Sequence, residues 1–145
     1  TKMFIKKLKK REKRSAVINL SSYATWLPLP FNSLYCGTKS YNDILSKSLS
    51  NEYNDTNVDF LSVKPLFVES PLSTMKADGV WVISAEECAN AVLRQLGHTR
   101  YTIGSWKHQL QAAILKLVPE RLVVYVMKKH YATIIAKRNA KKKTN

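Results

Sequence analysis

The pentapeptide Tyr35-Cys36-Gly37-Thr38-Lys39 sets a phenol and an amine four residues apart. On a helix, positions i and i+4 stack on one face, so this spacing holds an ammonium close to a phenol. A free phenol ionises near pH ~10 and is a poor general base near neutrality. A neighbouring cation favours the phenolate. Shifting a phenol by about 2–3 pKa units takes roughly 3–4 kcal/mol, an energy one close charge supplies at an intermediate effective dielectric. The pair suits proton exchange with an oxygen of a bound molecule. Ser22 stands thirteen residues before Tyr35 and adds a hydroxyl. Taken singly, Tyr35 reads as an amphipathic boundary residue, Lys39 as a solvated charge and Ser22 as the end of a strand. As a set at these spacings they point to chemistry.

The elements around them must bring the three together. The spacing predicts a short helix over 2–13, with Met3, Phe4, Ile5 and Leu8 on one side and lysines on the other. S-A-V-I-N-L-S-S, 15–22, reads as a buried strand. Pro28 and Pro30 make the next stretch a loop. Asn32 or Ser33 caps a long helix to Tyr53, with Tyr41, Ile44, Leu45, Leu49 and Tyr53 at helical spacing. A second strand covers 58–65 and stops at Pro65, and a loop with Pro71 and Gly79 follows. Ser84 and Glu87 form a capping box for a helix whose inner face is Cys88, Val92, Leu93 and Leu96, with Gly97 at its stop position. A short strand over 100–104 precedes two helices that break near Pro119.

Alternation of helix and strand implies an α/β fold with a parallel sheet. In such sheets ligands sit at the carboxyl ends of the strands, where Ser22 and the first turn of the next helix both fall. Three strands are few for a doubly wound sheet, and no G-x-G-x-x-G turn occurs. The pattern is that of the carboxyl-terminal half of a Rossmann-like doubly wound sheet, with amphipathic helices at its end. The opening T-K-M-F-I-K-K reads as the middle of a helix, so a further amino-terminal part is expected upstream.

Charge is unevenly placed. Lys2 to Arg14 carry eight basic residues and one acid, K-R-N-A-K-K-K near the end carries five basic residues, and the formal net charge is +14. Basic ends on a near-neutral body suit an anionic surface or a solvated tail. Cys36 and Cys88 form no metal-ligand pattern or disulfide framework, and reduced thiols are the default reading. His98, His108 and His130 are scattered and suggest neither a triad nor a metal site. Trp26, Trp81 and Trp106 read as core or membrane-interface residues. The stripe Leu110, Ile114, Leu117, Leu122, Tyr125 and Val126 reads first as packing, then as a membrane face or a greasy tunnel. No apolar run reaches the ~18–20 residues a spanning helix needs.

From Ala16 to Gly104 the sequence resembles the short-chain dehydrogenase/reductase family. Y-C-G-T-K stands for the family's Y-x-x-x-K, and Ser22 in N-L-S-S matches its catalytic serine. K-P-L-F-V-E-S resembles the loop P-G-x-V-x-T that closes on the nicotinamide: Pro65 and Val68 match, Leu66 replaces the glycine and Ser70 the threonine. Together with the late G-S-W-K-H-Q-L and the basic tail, these stretches look like the branch of very-long-chain 3-ketoacyl-CoA reductases and 17β-hydroxysteroid dehydrogenases.

The resemblance implies a partial dehydrogenase domain over 1–104 and helices with a basic tail over 105–145. It implies hydride transfer between NADP(H), or NAD(H), and a lipid carbonyl such as a 3-ketoacyl-CoA or a steroid-like ketone, with no metal. Tyr35 would protonate the carbonyl oxygen, Lys39 would tune Tyr35 and bind the nicotinamide ribose, and Ser22 would donate to the substrate oxygen. Tyr35, Lys39, Pro65, Val68 and Ser70 would contact the cofactor. The family's dinucleotide-binding half and its catalytic asparagine would lie before Thr1. The alternative is a non-catalytic, dehydrogenase-derived subunit of a larger assembly. Expected partners are a lipid carbonyl substrate and a membrane surface met by the basic ends and the last helices. Nucleic acid has only charge in its favour. The final K-K-T-N fits an endoplasmic-reticulum retrieval pattern, which implies the cytosolic face of that membrane; a mitochondrial membrane complex is the alternative.

Overall fold

A computed structural model describes residues 2–71, 73 and 75–143, without the side chains of residues 2 and 137–143. The proposed K-K-T-N signal and most of the basic tail therefore lie outside the described side chains. In chain order the elements are α1 (Lys2–Lys9), β1 (Ser15–Leu20), α2 (Ser33–Glu52), β2 (Val58–Val63), β3 (Phe67–Val68), β4 (Val82–Ile83), α3 (Ala85–Leu93), β5 (Tyr101–Thr102), α4 (Trp106–Leu117) and α5 (Glu120–Lys143). A 3-10 turn at Tyr23–Thr25 follows β1.

β1, β2 and β5 form a parallel sheet in that order. β1 and β2 pair along their whole length, from Ser15 opposite Val58 to Leu20 opposite Val63. β3 and β4 make a second, two-stranded parallel sheet inside what the sequence reads as a plain loop. Two-residue strands leave no period to detect. The Asp78 carboxylate shapes the approach to β4 by accepting the backbone N–H groups of Val80, Trp81 and Val82. Those bonds hold its carboxyl below the usual carboxylate range.

β2 is the centre, and its two faces do different work. Leu61 and Val63 point to one side, where Ile83, Cys88 and Val92 complete a buried cluster. Val58 and Phe60 point to the other, where they meet Ile5 and Leu49. Farther along that second face come Ser62 and Lys64, and the face turns polar. Lys64 is 1 % exposed. Its Nζ lies 3.5 Å from Asp43 Oδ2 on α2. Lys47 reaches the same oxygen at 2.8 Å, and the Ser62 hydroxyl donates to Asp43 Oδ1 at 2.6 Å. The Tyr101 ring centre is 4.6 Å from the Lys64 ammonium and the Trp26 ring centre 5.2 Å, so aromatic faces line what the carboxylate leaves open.

Burial alone pushes the Asp43 carboxyl up. Hydrogen bonds from Lys47 and Ser62 and the charges of Lys64 and Lys47 overcome that and hold it below its ordinary value. Burial pushes the Lys64 ammonium down, more than Asp43 draws it back.

Several sequence expectations are corrected. α1 ends at Lys9, and Met3 and Phe4 are exposed while Ile5 is buried. Only one stripe of a two-turn helix reaches the β2 face. On α2, Leu45, Leu49 and Tyr53 pack inward but Tyr41 and Ile44 do not, because they lie off the face that meets β2. Leu93 on α3 is exposed. The capping box is half made: Ser84 accepts Glu87 N–H, but the Glu87 carboxylate takes Ser105 and Lys107 instead. Gly97 has a φ of +79°, the left-handed conformation that suits glycine in the turn after α3. Trp26, Trp81 and Trp106 are all exposed, so none is core.

The stripe Leu110 to Val126 is exposed at every position. α4 instead turns a polar face inward. His108 Nε2 bonds the Phe67 carbonyl, Gln111 donates to the Val80 carbonyl, and the Tyr23 hydroxyl donates to the Ala112 carbonyl. Burial lowers the His108 pKa, so the ring packs neutral.

Asp43→Asn is expected to destabilise the fold by about 3 kcal/mol at neutral pH, because Lys64 then lacks its buried counter-charge. Adding Lys64→Met should recover part of that loss. The folded Lys64 pKa lies below its unfolded value, so the unfolded chain binds more protons there, and the Asp43→Asn deficit should shrink as pH rises toward ~10. In the wild type, Asp43 stabilises above the ordinary carboxylate range of about 4, and that contribution is lost as pH falls through its folded value. Urea unfolding at several pH values measures all three.

Candidate active site

The carboxyl ends of β1 and β2 are drawn together by backbone bonds: Ser21 N–H donates to the Val63 carbonyl and Tyr23 N–H to the Pro65 carbonyl. α2 begins beside them. Asn32 caps it without a side-chain bond, and Phe31 before it is held at φ +64°. That left-handed turn costs a bulky residue about 1–2 kcal/mol and sets the angle at which the chain enters the helix.

Tyr35 lies in the first turn of α2 and is 43 % exposed. Lys39 lies one turn on, and its Nζ is 5.7 Å from the centre of the Tyr35 ring. The same ammonium donates to the Leu20 carbonyl at 3.0 Å. In return the Ser21 hydroxyl donates to the Lys39 carbonyl at 2.7 Å. These two bonds clasp the second turn of α2 to the end of β1. Ser22 is the next residue, and its hydroxyl accepts Ala24 N–H at 3.1 Å, capping the 3-10 turn. The structure thus brings Tyr35, Lys39 and the end of β1 to one place. Among the described residues, no hydrogen bond joins Ser22 to Tyr35.

The loop residues divide. The Pro65 carbonyl is joined to the turn after β1. Val68 packs against the cluster of Leu61, Val63 and Ile83. Ser70 and Ser73 bond each other's backbone in a tight turn. Cys36 Sγ faces the Leu27 carbonyl at 3.9 Å. Among the described residues, no group of His, Cys, Asp and Glu is placed to hold a metal. A cleft of ≈ 220 Å³ lined by Arg14, Asp59, His98 and Arg100 lies at the amino ends of β1 and β2, the opposite end from Tyr35.

Three contributors escape the sequence reading. Ser21, not Ser22, ties the strand to the helix. Asp43 continues the row Tyr35, Lys39, Asp43, Lys47, each four residues from the last; the spacing is visible in the sequence, but its buried partner Lys64 is not. Tyr131 on α5 is half-buried, and burial raises its phenol pKa, with Cys36 and Tyr35 adding to the shift. No local signal in the sequence marks Tyr131.

If a nicotinamide cofactor binds at the carboxyl edge of these parallel strands, the exposed phenol of Tyr35 and the ammonium of Lys39 are the groups there that would hold it. No glycine-rich turn here would cradle a pyrophosphate.

Known proteins agree with this architecture. The family model for short chain dehydrogenases matches residues 1–80, and the chain belongs to that family. It is 33% identical over 117 residues to a very-long-chain 3-oxoacyl-CoA reductase-like protein of Arabidopsis thaliana, covering 77% of this chain and 38% of that one. It is 32% identical to an inactive hydroxysteroid dehydrogenase-like protein of Danio rerio, covering 74% of this chain and 34% of that one. A solved 7β-hydroxysteroid dehydrogenase structure superposes with a TM-score of 0.68 at 22% identity, over 88% of this chain and 49% of that one, which supports the same fold. The chain spans less than half the length of these curated relatives.

Ser21→Ala is expected to cost about 1 kcal/mol of stability, the usual net value of one hydrogen bond. It should also loosen the start of α2, read as faster amide exchange at residues 35–40 than in wild type. A smaller change in both would show that the clasp rests on Lys39 alone.

Proposed function

We propose that this chain carries the catalytic end of an NADP(H)-dependent reductase of lipid carbonyls, acting together with a dinucleotide-binding half. The observation that carries the reading is the Lys39 ammonium 5.7 Å from the Tyr35 ring, on an exposed helix start at the end of β1. The cofactor would supply the hydride. Tyr35 would give its hydroxyl proton to the carbonyl oxygen as charge develops there. The Lys39 ammonium beside the ring would face the negative charge left on the phenol oxygen. Lys39 is held for this by the Leu20 carbonyl. Ser22 would turn its hydroxyl from the Ala24 amide toward the substrate oxygen.

The substrate class follows the relative named as a very-long-chain 3-oxoacyl-CoA reductase-like protein. NADP(H) is preferred to NAD(H) on the same resemblance, with the cytosolic face of the endoplasmic reticulum as the compartment and a mitochondrial membrane complex as the alternative. A second reading, a non-catalytic subunit, is favoured by the similarity to an inactive hydroxysteroid dehydrogenase-like protein.

NADPH oxidation by the full-length protein with a long-chain 3-ketoacyl-CoA should fall at least ~10²-fold in Tyr35→Phe, the usual scale for a lost general acid. Equal rates in the two proteins would remove Tyr35 from the reaction. No turnover in either, with the substrate and both nicotinamides in excess, would favour the non-catalytic subunit.

A further inference from the structure

We propose, resting on the redox reading above, that His108 is a positioning residue for the nicotinamide: from α4 it latches the loop after β2 beside the carboxyl edge of the sheet. α4 reverses the pattern expected of a surface helix, which buries its apolar stripe and exposes its polar one. Its buried residues are His108, Gln111 and Ala112. At spacings of three and four they lie on one face. Each meets a different segment of the chain. His108 Nε2 is 3.1 Å from the Phe67 carbonyl in β3, Gln111 donates at 2.6 Å to the Val80 carbonyl ahead of β4, and the Ala112 carbonyl accepts the Tyr23 hydroxyl at 3.3 Å.

These three segments are also joined to one another. Tyr23, next to Ser22, donates its N–H to the Pro65 carbonyl at 3.0 Å, and Glu69 N–H donates to the Ile83 carbonyl at 2.9 Å. Phe67 stands opposite Val82, and Val68 opposite Ile83. The loop after β2 is thus fixed at its start by the turn that carries Ser22 and farther on by β4. Two strands of two residues each are marginal by themselves. The bonds from α4 therefore limit how far this loop can move.

His108 is the deepest of the three, with 0% exposure. A carbonyl only accepts, so Nε2 carries the proton. Burial keeps the ring neutral, and its hydrogen bond is spent on the main chain of the loop. The same edge holds the reactive pair, since Lys39 is bonded to Leu20 two residues before Ser22. A nicotinamide lying between Tyr35 and the loop would lose its alignment if the loop moved by about 1 Å, a displacement that is costly even when its cause is remote.

The test uses the full-length protein. The dissociation constant for NADPH is read from its fluorescence, and turnover from NADPH oxidation with a long-chain 3-ketoacyl-CoA. His108→Leu keeps an apolar side chain in place and removes the donor. It should weaken NADPH binding at least ~5-fold, the scale of one hydrogen bond. His108→Gln restores an N–H toward the Phe67 carbonyl and should stay within ~2-fold of wild type, a rescue that packing alone does not predict. Amide exchange at Tyr23 and Glu69 should quicken in His108→Leu, while Leu61 and Val63 in β2 exchange as in wild type. If His108→Leu does not fold, Gln111→Met, which removes the bond to Val80, takes its place and should weaken NADPH binding at least ~3-fold. NADPH affinity unchanged in the folded variants overturns the proposal, as does His108→Gln binding no better than His108→Leu. Wild type that binds NADPH but turns over no 3-ketoacyl-CoA removes the reductase reading, and the dissociation constants still decide the latch. Wild type that binds neither NADPH nor NADH removes both.

Discussion

A buried ion pair fixes how the helix that carries Tyr35 and Lys39 meets the sheet. Asp43 sits one turn below Lys39, and its carboxylate is held from the strand side by Lys64 and Ser62 and from the helix side by Lys47. Such a pair is not a large source of net stability, since desolvating two charges offsets most of their attraction. Its effect is on specificity. Helix α2 can slide or rotate against an apolar strand face at modest cost, but not past a point where a buried ammonium must find a carboxylate. The apolar half of the same face, Val58 and Phe60 against Leu49, supplies the burial. The ionic half supplies the register.

The site is built upward from that register. With Asp43 placed, Lys39 comes to the Leu20 carbonyl and the Ser21 hydroxyl reaches the Lys39 carbonyl. Tyr35, a turn higher, emerges at the carboxyl edge of β1 with its ring beside the ammonium. Parallel strands gather their loops at this edge. Here the turn after β1 is bonded to the loop after β2, so Ser22 and Pro65 are neighbours through backbone bonds alone.

Much of the fold was legible in local pattern. Strand β2, nearly buried throughout, and the long helix before it follow from apolar runs and caps. β1 was legible as a strand but not as the buried one its sequence suggests, because it is an edge strand of the three-stranded sheet with Ala16, Ile18 and Leu20 exposed. The placement of Lys39 beside Tyr35 was legible from local pattern too, because one helix sets both side chains. The errors lie where burial depends on a distant partner. The outward stripe of α4 looked like packing because its spacing is helical and its residues apolar, yet spacing does not say which side of a helix meets the body. The inward side carries His108 and Gln111 because two carbonyls, of Phe67 and Val80, wait there. β3 and β4 were missed because two residues are too few to show a period, and their pairing joins positions fifteen residues apart.

The sequence by itself determined the alternation of helix and strand, the excess of positive charge toward both ends, and the four-residue step from Tyr35 to Lys39. Those properties arise from residues close in the chain, where backbone geometry leaves few choices. Only the tertiary structure decided that Lys64 is buried against Asp43, that Ser21 rather than Ser22 holds the helix, and that α4 shows its apolar side to the outside. Each of these joins groups far apart in sequence, and their free energy comes from desolvation and long-range contact, which no local pattern encodes.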